Sequence, residues 1–285
     1  MPIEIQHTAP RRQASARQAV ACGFTLIKLI MVIALAGVVA VMVGTVMSRP
    51  LQSFADHSGR AELTDLAAIA LNRMARDIRL AVPNSVVAAE AGDEIRLVPI
   101  AAAGRYRGNQ ADPNGPRQDP PACTQPSGAC AIEILSPIYP ASSTDEHWLI
   151  IYNTHSLIGR PEPVDDSISA ISPKAFTWAN GVLSADLSSF RFEFASPQHR
   201  FYLANKAVGY RCRGGTLARA EFLDLVAVDY SAAATVVNNV DCGKSSFTYA
   251  PGTNTRNGLV TLKLVLANDG GTITLMQQVQ VDNAP

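Results

Sequence analysis

The sequence Gly23-Phe24-Thr25-Leu26-Ile27-Lys28-Leu29 opens an apolar segment that continues to Met47 and decides how this chain is built. Between Leu29 and Met47 there is no charged residue. Because a helix rises about 1.5 Å per residue, the segment from Phe24 onward is long enough to cross a hydrocarbon core of about 30 Å. The sequence therefore predicts a membrane-spanning helix half over residues 24–47.

The residues ahead of this segment, 1–23, form a polar leader with Arg11, Arg12 and Arg17. Positive residues beside a membrane span favour the cytoplasmic side, so the leader is predicted to be cytoplasmic and the rest of the chain to lie outside. A conventional signal peptide would have a shorter apolar core followed by a small-residue cleavage site. Residues 46–50 read Val-Met-Ser-Arg-Pro and offer no such site.

The junction between the basic leader and the apolar segment, Gly-Phe-Thr-Leu-Ile, closely resembles the processing motif of type IV prepilins. In that family a membrane peptidase cuts after the glycine and methylates the new N-terminal amine. The resemblance implies cleavage between Gly23 and Phe24, N-methylation of Phe24, and the prepilin peptidase as a partner.

Lys28 departs from the family pattern, since members usually have glutamate as the fifth mature residue. In the family that carboxylate is thought to neutralise the methylated amine of a neighbouring subunit inside the filament. A lysine adds a second cation instead, and an unpaired charge in lipid costs several kcal/mol. In the isolated protein Lys28 is expected to extend its ammonium to the headgroups. In an assembly, its charge argues against a role as the repeating major subunit.

The positive and negative charges of the chain are balanced. The chain has 285 residues, with 24 Lys plus Arg and 24 Asp plus Glu. A neutral chain gives no electrostatic basis for binding nucleic acid. The length suits one domain with insertions, or at most two domains.

Four of the five cysteines remain once the leader, with Cys22, is removed. An even number in an oxidising compartment predicts two disulfides, for which three pairings are possible. The pairs Cys123–Cys130 and Cys212–Cys242 are favoured, because the first two lie close together in a Pro/Gly-rich loop and the other two flank a segment that can return as a neighbouring strand. A four-cysteine zinc site is the alternative, although the sequence has no C-x-x-C pair.

Beyond Met47 the helix is predicted to continue over residues 48–82 as an amphipathic half, interrupted or bent at Pro50 and stopped by Pro83 and Asn84. Apolar residues recur there at steps of three or four, at Leu63, Leu66, Ala70, Met74 and Ile78. The opposite face is interpreted as solvated, with Arg73 and Asp77 spaced to pair, and carries Arg73, Arg76, Asp77 and Arg79.

Residues 83–285 alternate short apolar runs with turn residues, which predicts a β-rich head domain with a predominantly antiparallel sheet, and so an α+β chain. Strands are predicted at 94–100, 131–138, 148–152, 189–194, 200–205, 208–212, 217–223, 259–266 and 272–281. Asn268-Asp269-Gly270-Gly271 predicts a hairpin between the last two. Residues 101–128 are predicted to form a polar loop.

Further segments extend the resemblance over much of the mature chain: 71–79, 83–85, 104–107, 210–212 and 278–285 look like the MshO group of minor pilins, which belong to mannose-sensitive haemagglutinin (MSHA) type IV pilus systems. They are more loosely similar to the J-type minor pseudopilin of type II secretion. The resemblance implies a pilin-like fold, with one long N-terminal helix packed on the sheet. It also implies a subunit that is not an enzyme, lies at or near a filament tip, helps to initiate assembly and supports adhesion and motility.

The same resemblance implies partners and a location. The partners are other pilins and minor pilins of the same filament and the inner-membrane assembly platform. The location is the inner membrane, crossed once through residues 24–47, with the head in the periplasm and later in the filament at the cell surface.

Motifs for other chemistry are weak. Gly243-Lys244-Ser245 resembles the end of a phosphate-binding loop, but Asn238 stands where the motif needs its first glycine. The histidines at 147, 155 and 199 lack zinc-ligand spacing and are interpreted as surface or sheet-edge residues. No cofactor or metal is predicted. A membrane-anchored periplasmic binding module or adhesin remains an alternative, and would need an exposed aromatic or polar recognition surface.

Overall fold

The computed structural model describes residues 25–108, 118–124, 129–253, 256–268 and 271–281, apart from the side chains of residues 47–53, 55, 56 and 129. The chain divides into two compact units, Met1–Phe54 and Ala55–Pro285. One helix, α1 (Leu26–Arg79), contributes to both.

In the N-terminal unit, the residues from Leu26 to Val46 form a 21-residue stretch of α1 that is long and apolar enough to cross a membrane. This confirms the predicted apolar helix. The helix continues through Pro50. Of the predicted interruption or bend at this residue, the interruption is therefore wrong. Proline removes one hydrogen bond from a helix, but its fixed φ is compatible with helical backbone.

In the C-terminal unit, α1 ends at Arg79, three residues before the predicted end. The next residues already belong to the sheet region: Ala81 forms a bridge with Pro99, and the Val82 amide donates to the Val98 carbonyl at 2.8 Å. Pairing of this segment therefore stops the helix before Pro83 does.

Seventeen strands follow in the described part of the chain, and the α+β class is confirmed. Their bounds are β1 Val87–Ala88, β2 Glu94–Leu97, β3 Ala102–Arg105, β4 Ala122–Cys123, β5 Ala129–Glu133, β6 Ser143–Ile150, β7 Ile168–Ser169, β8 Phe176–Ala179, β9 Val182–Asp186, β10 Phe190–Phe192, β11 Arg200–Ala204, β12 Ala207–Arg213, β13 Thr216–Phe222, β14 Ala234–Val237, β15 Ser246–Ala250, β16 Gly258–Asn268 and β17 Gly271–Val281.

The strands form four sheets, in the orders β1-β2-β12-β13-β14, β3-β11-β6-β8-β9-β5, β4-β10-β7 and β15-β16-β17. All strand pairs are antiparallel except β7 with β10. The predicted final hairpin is confirmed, because β16 pairs with β17 from Asn268 opposite Gly271 to Gly258 opposite Val281.

One face of α1 is buried against the first and last of these sheets. The helix contributes Leu63, Ala67, Ala70, Leu71, Met74, Ala75 and Ile78, and the strands contribute residues such as Ile95, Tyr210, Leu217, Phe247 and Leu264. Leu66, predicted to lie on this apolar stripe, is 38% exposed. The stripe runs through Ala67 instead.

The six-stranded sheet has its own core, which includes Tyr106, Phe176, Trp178, Phe190 and Phe201. A third cluster joins it to the five-stranded sheet β1-β2-β12-β13-β14, because Trp148 from β6 and Ala204 from β11 pack with Phe222 from β13. The two large sheets therefore share apolar contacts.

Two strands occupy the segment 101–128 that was predicted to be a loop. In β3, a Cβ added at Gly104 would lie 2.6 Å from Ile138 Cγ2 and 3.0 Å from the Phe201 ring. This close packing requires glycine, and the strand, Ala-Ala-Gly-Arg, has none of the β-branched or aromatic side chains by which strands are recognised. Residues 109–117 and 125–128 lie outside the described part.

A polar network fixes the last turns of α1 to the sheet. The Tyr210 hydroxyl donates to Asp77 Oδ2 at 2.7 Å, and Arg219 Nε donates to the same oxygen at 2.9 Å. Arg219 also pairs with Glu221 at 2.8 Å, and Glu221 pairs with Lys206 at 2.8 Å. Burial and the nearby Asp77 carboxylate raise the pKa of Tyr210, so its hydroxyl stays protonated and donates. The predicted pairing of Asp77 with Arg73 is therefore wrong, because Asp77 bonds Tyr210 and Arg219 instead.

We expect Asp77→Ala to lower the free energy of unfolding by about 1–3 kcal/mol, because it leaves two partly buried donors without their acceptor. Arg73→Ala is the matched control on the exposed face and should change it by no more than about 0.5 kcal/mol. Chemical denaturation of the full chain in detergent, followed by circular dichroism, measures both. Equal effects of the two substitutions would contradict a role for the network.

Candidate functional site

The predicted processing residues Gly23 and Phe24 lie outside the described part of the chain. Lys28 is described and is exposed in the first turn of α1, where its amide donates to the Thr25 carbonyl at 2.9 Å. The candidate assembly site therefore rests on the helix that begins at Leu26.

The surface of α1 after Lys28 is apolar on every side. All residues from Leu29 to Val46 are exposed, with no charge among them. The one hydroxyl in this stretch, on Thr45, bonds the helix itself, at 3.1 Å from the Val41 carbonyl and 3.0 Å from that of Met42. Satisfying polar groups within the helix is what an apolar solvent requires, so this surface suits lipid or other apolar helices.

Two disulfides tie the C-terminal unit. Cys123 bonds Cys130, with 4.8 Å between their Cα atoms, and Cys212 bonds Cys242, with 5.5 Å. These are the pairings that the sequence favours. The first joins β4 to β5, and the second joins β12 to the segment that precedes β15.

Removing the second disulfide with Cys212→Ser/Cys242→Ser should lower the free energy of unfolding by about 2–4 kcal/mol. Cys123→Ser/Cys130→Ser is the matched control. It should lower the free energy of unfolding by less, because the disulfide that it removes closes a loop of 7 rather than 30 residues. Thermal denaturation compares the two. Non-reducing peptide mapping checks the pairing, and peptides that cross-link one pair to the other would contradict it.

A hydrogen-bonded cluster lies around Tyr106, which belongs to the same buried core as the first disulfide. The Tyr106 hydroxyl donates to Asp119 Oδ1 at 3.0 Å and accepts from the Ser196 amide at 3.1 Å. His199 Nε2 lies 3.1 Å from Asp119 Oδ2. Burial is the main cause that raises the pKa of Tyr106. Since the tyrosine hydroxyl both donates and accepts within the protein, the cluster fastens the segment around Asp119 and leaves no free nucleophile at Tyr106.

The structure describes the three histidines at 147, 155 and 199 that the sequence singled out. His147 is only 3% exposed, so its interpretation as a surface or edge residue is wrong. It lies in the part of β6 that is covered on both faces, and its Nδ1 is 2.7 Å from the Asp145 carbonyl. Burial lowers the pKa of His147. Within the described residues there is no group of three His, Cys, Asp or Glu side chains that could hold a metal ion.

An open polar depression of about 590 Å³ lies near β10 and is lined by Thr124, Asp166, Ser167, Ile168, Ser188, Ser189 and Arg191. Asp165 fixes two of the lining residues, because its carboxylate accepts hydrogen bonds from the Ser188 amide at 3.0 Å and the Ser189 amide at 3.1 Å. Partial burial acts to raise the pKa of Asp165, but these hydrogen bonds outweigh it and hold that pKa below its usual range. The depression offers hydroxyls and both signs of charge.

A second depression, of about 480 Å³, lies beside a loop that presents Tyr139. The Tyr139 side chain is 91% exposed. Its neighbours are held in place, since Ile138 packs against Gly104 and the Trp178 indole donates to the Pro140 carbonyl at 2.8 Å. Sequence reasoning missed this loop, although a tyrosine between two prolines at 137 and 140 marks an exposed turn.

No family model matches the chain, and no curated protein and no solved structure matches it either. Its function must therefore be argued from its own residues and geometry.

Proposed function

We propose that this chain is a minor pilin of a type IV pilus of the MSHA type. In this proposal it has a pilin-like fold, joins the filament at or near its tip, helps to initiate assembly, and supports adhesion and motility. The observation that carries the proposal is the surface of α1. It is apolar on every side from Leu29 to Val46, whereas farther along only one face of the helix is apolar and buried against an antiparallel sheet. Directly ahead of it stands the Gly23-Phe24 junction.

An assembly subunit of this kind must exchange lipid for the helices of other subunits, and the surface of α1 is suited to both. Small residues recur every four positions at Ala36, Ala40 and Gly44. A Cβ added at Gly37 or Gly44 would meet nothing within 4 Å. Small residues let helix backbones approach closely in an apolar medium, which supports packing against pilins of the same filament.

The proposed location is the inner membrane with the head in the periplasm, before transfer to the filament at the cell surface. The two disulfides support an oxidising compartment for the head. Processing would involve the prepilin peptidase, and assembly would involve the inner-membrane platform.

Two other functions fit parts of the same geometry. A J-type minor pseudopilin of type II secretion would use the same helix and processing site, and the neighbouring genes would distinguish the two systems. A membrane-anchored binding module is favoured by one observation, the exposed Tyr139, whose neighbours Ile138 and Pro140 are held in place. Tyrosine is one of the side chains that most often carry the binding energy at protein interfaces.

Processing is tested first. We expect the mature chain to begin at an N-methylated Phe24, as measured by mass spectrometry of the protein purified from membranes. Gly23→Ala should slow cleavage, since the peptidase is expected to need a residue with little or no side chain there, whereas Cys22→Ser should leave it unchanged. A mature chain that begins beyond Met47 would overturn the proposal.

The position of the subunit is tested through Lys28. Its ammonium cannot neutralise the N-terminal amine of a neighbour, so desolvation of an unmatched charge should oppose many consecutive copies. We expect a copy number far below that of the major pilin in sheared filaments, measured by quantitative proteomics, and gold labelling of an epitope in residues 101–128 at filament ends. Lys28→Glu should be tolerated or should spread the label along the shaft.

Abundant labelling along the shaft by the unmodified protein would contradict the tip position. Complete absence of the protein from filaments, with the mature chain retained in membranes, would favour the anchored binding module.

A further inference from the structure

The last strand in the described part of the chain, β17, has one edge that pairs with no other described strand. It is 11 residues long and pairs with β16 along its whole length. It stands at the end of its three-stranded sheet, and no strand in the described part of the chain pairs with its other edge. In an antiparallel strand, alternate backbone N–H and C=O groups point to either side, so this edge presents a row of donors and acceptors.

This edge differs from the other sheet edges in the described residues. The strands at those edges are two to five residues long: β1, β3, β4, β5, β7, β14 and β15. Long edges are normally blocked by lysine, by proline or by a bulge. The sequence of β17, GTITLMQQVQV, contains no charge and no proline, and its register with β16 has no shift. An 11-residue edge without these features is suited to pairing with another strand.

The two faces of β17 limit what can pair with it. One face is exposed and neutral and carries Thr272, Thr274, Met276, Gln278 and Gln280. The other face packs against the apolar core that α1 forms with the sheets, but Ile273 and Leu275 are only partly buried there. An added strand would cover these two side chains while its own alternate residues remained neutral and exposed.

We propose that β17 pairs in antiparallel orientation with β17 of a second copy of this chain. Met276 is the middle residue of the strand, so pairing centred on it joins all 11 residues. Residues of the same face then lie opposite each other, with Thr274 beside Gln278 and Ile273 beside Val279. No charged residues oppose each other along a contact of about 37 Å at 3.4 Å per residue.

The strand can therefore pair with itself over its full length with no opposing charges on either face, and this match in length and charge is why we take a second copy as the occupant. The pairing converts two three-stranded sheets into one six-stranded sheet related by a two-fold axis. This inference does not depend on the pilin proposal, since it uses only residues of β16 and β17.

Cross-linking tests the contact in the full chain. With Cys22→Ser to remove the unpaired thiol, Met276→Cys in isolated membranes should form a disulfide-linked dimer of twice the chain mass upon mild oxidation. Side chains directly opposite each other have Cβ atoms about 4.5–5.5 Å apart, close to the separation that a disulfide spans. Leu223→Cys is the control, because Leu223 is 76% exposed and lies just beyond β13. It should remain monomeric.

A charge substitution tests the same contact without a cross-link. Met276 is 63% exposed and lies opposite Lys263 of β16, so Met276→Lys adds a charge beside an existing one, and circular dichroism checks that the fold is kept. In the dimer the substitution also places two like charges opposite each other across the new contact. We expect the dimer to dissociate about tenfold more readily, a change of about 1.4 kcal/mol, by sedimentation in detergent. Leu223→Lys should leave the dimer unchanged.

Three results would overturn the proposal. One is a Met276→Cys chain that yields no dimer beyond that of the Leu223→Cys control. Another is a cross-linked product whose mass shows a different polypeptide, which would assign the edge to another subunit. The third is a dimer that Met276→Lys weakens no more than Leu223→Lys does.

Discussion

Burial of one face of α1 between Leu63 and Ile78 is the constraint on which the C-terminal unit depends. Strands from two separate sheets, β2, β12 and β13 on one side and β15 to β17 on the other, place apolar side chains on this face. Full burial of each large side chain contributes about 1.5–3 kcal/mol, so the stripe is a major part of the stability of the unit. Neither sheet has this core without the helix.

Apolar packing alone would allow the helix to slide by a turn, because one set of small and branched side chains can replace another at similar cost. Hydrogen bonds are more selective. Asp77 receives both Tyr210 from β12 and Arg219 from β13 at one oxygen, and a shift of one turn, about 5.4 Å, would break both bonds. We infer that burial holds α1 on the sheet and that Asp77 defines its position along it.

The sequence predicted those elements whose signals are local. The apolar helix, the amphipathic stripe and the final hairpin with its Asn-Asp-Gly-Gly turn all follow from neighbouring residues. The β8–β9 hairpin also carries a local signal, since Asn180-Gly181 has positive φ angles of 53° and 77° between two apolar strands. By contrast, the partners of Asp77 lie 133 and 142 residues away in the chain, and no local pattern could identify them.

The candidate surfaces follow a similar division. Strands β2 and β12 are paired neighbours in the five-stranded sheet. Along the chain, however, residues 98–206 lie between them, and the six-stranded sheet is built from this segment. This inserted segment carries the Cys123–Cys130 disulfide, the exposed Tyr139 and the polar depression. It rests on the first sheet through the shared Trp148 cluster. The surface loops of this segment lie outside the apolar core around α1, so their sequence can change with little effect on the packing of the helix. The surface available for recognition is therefore separate from the helix proposed for assembly.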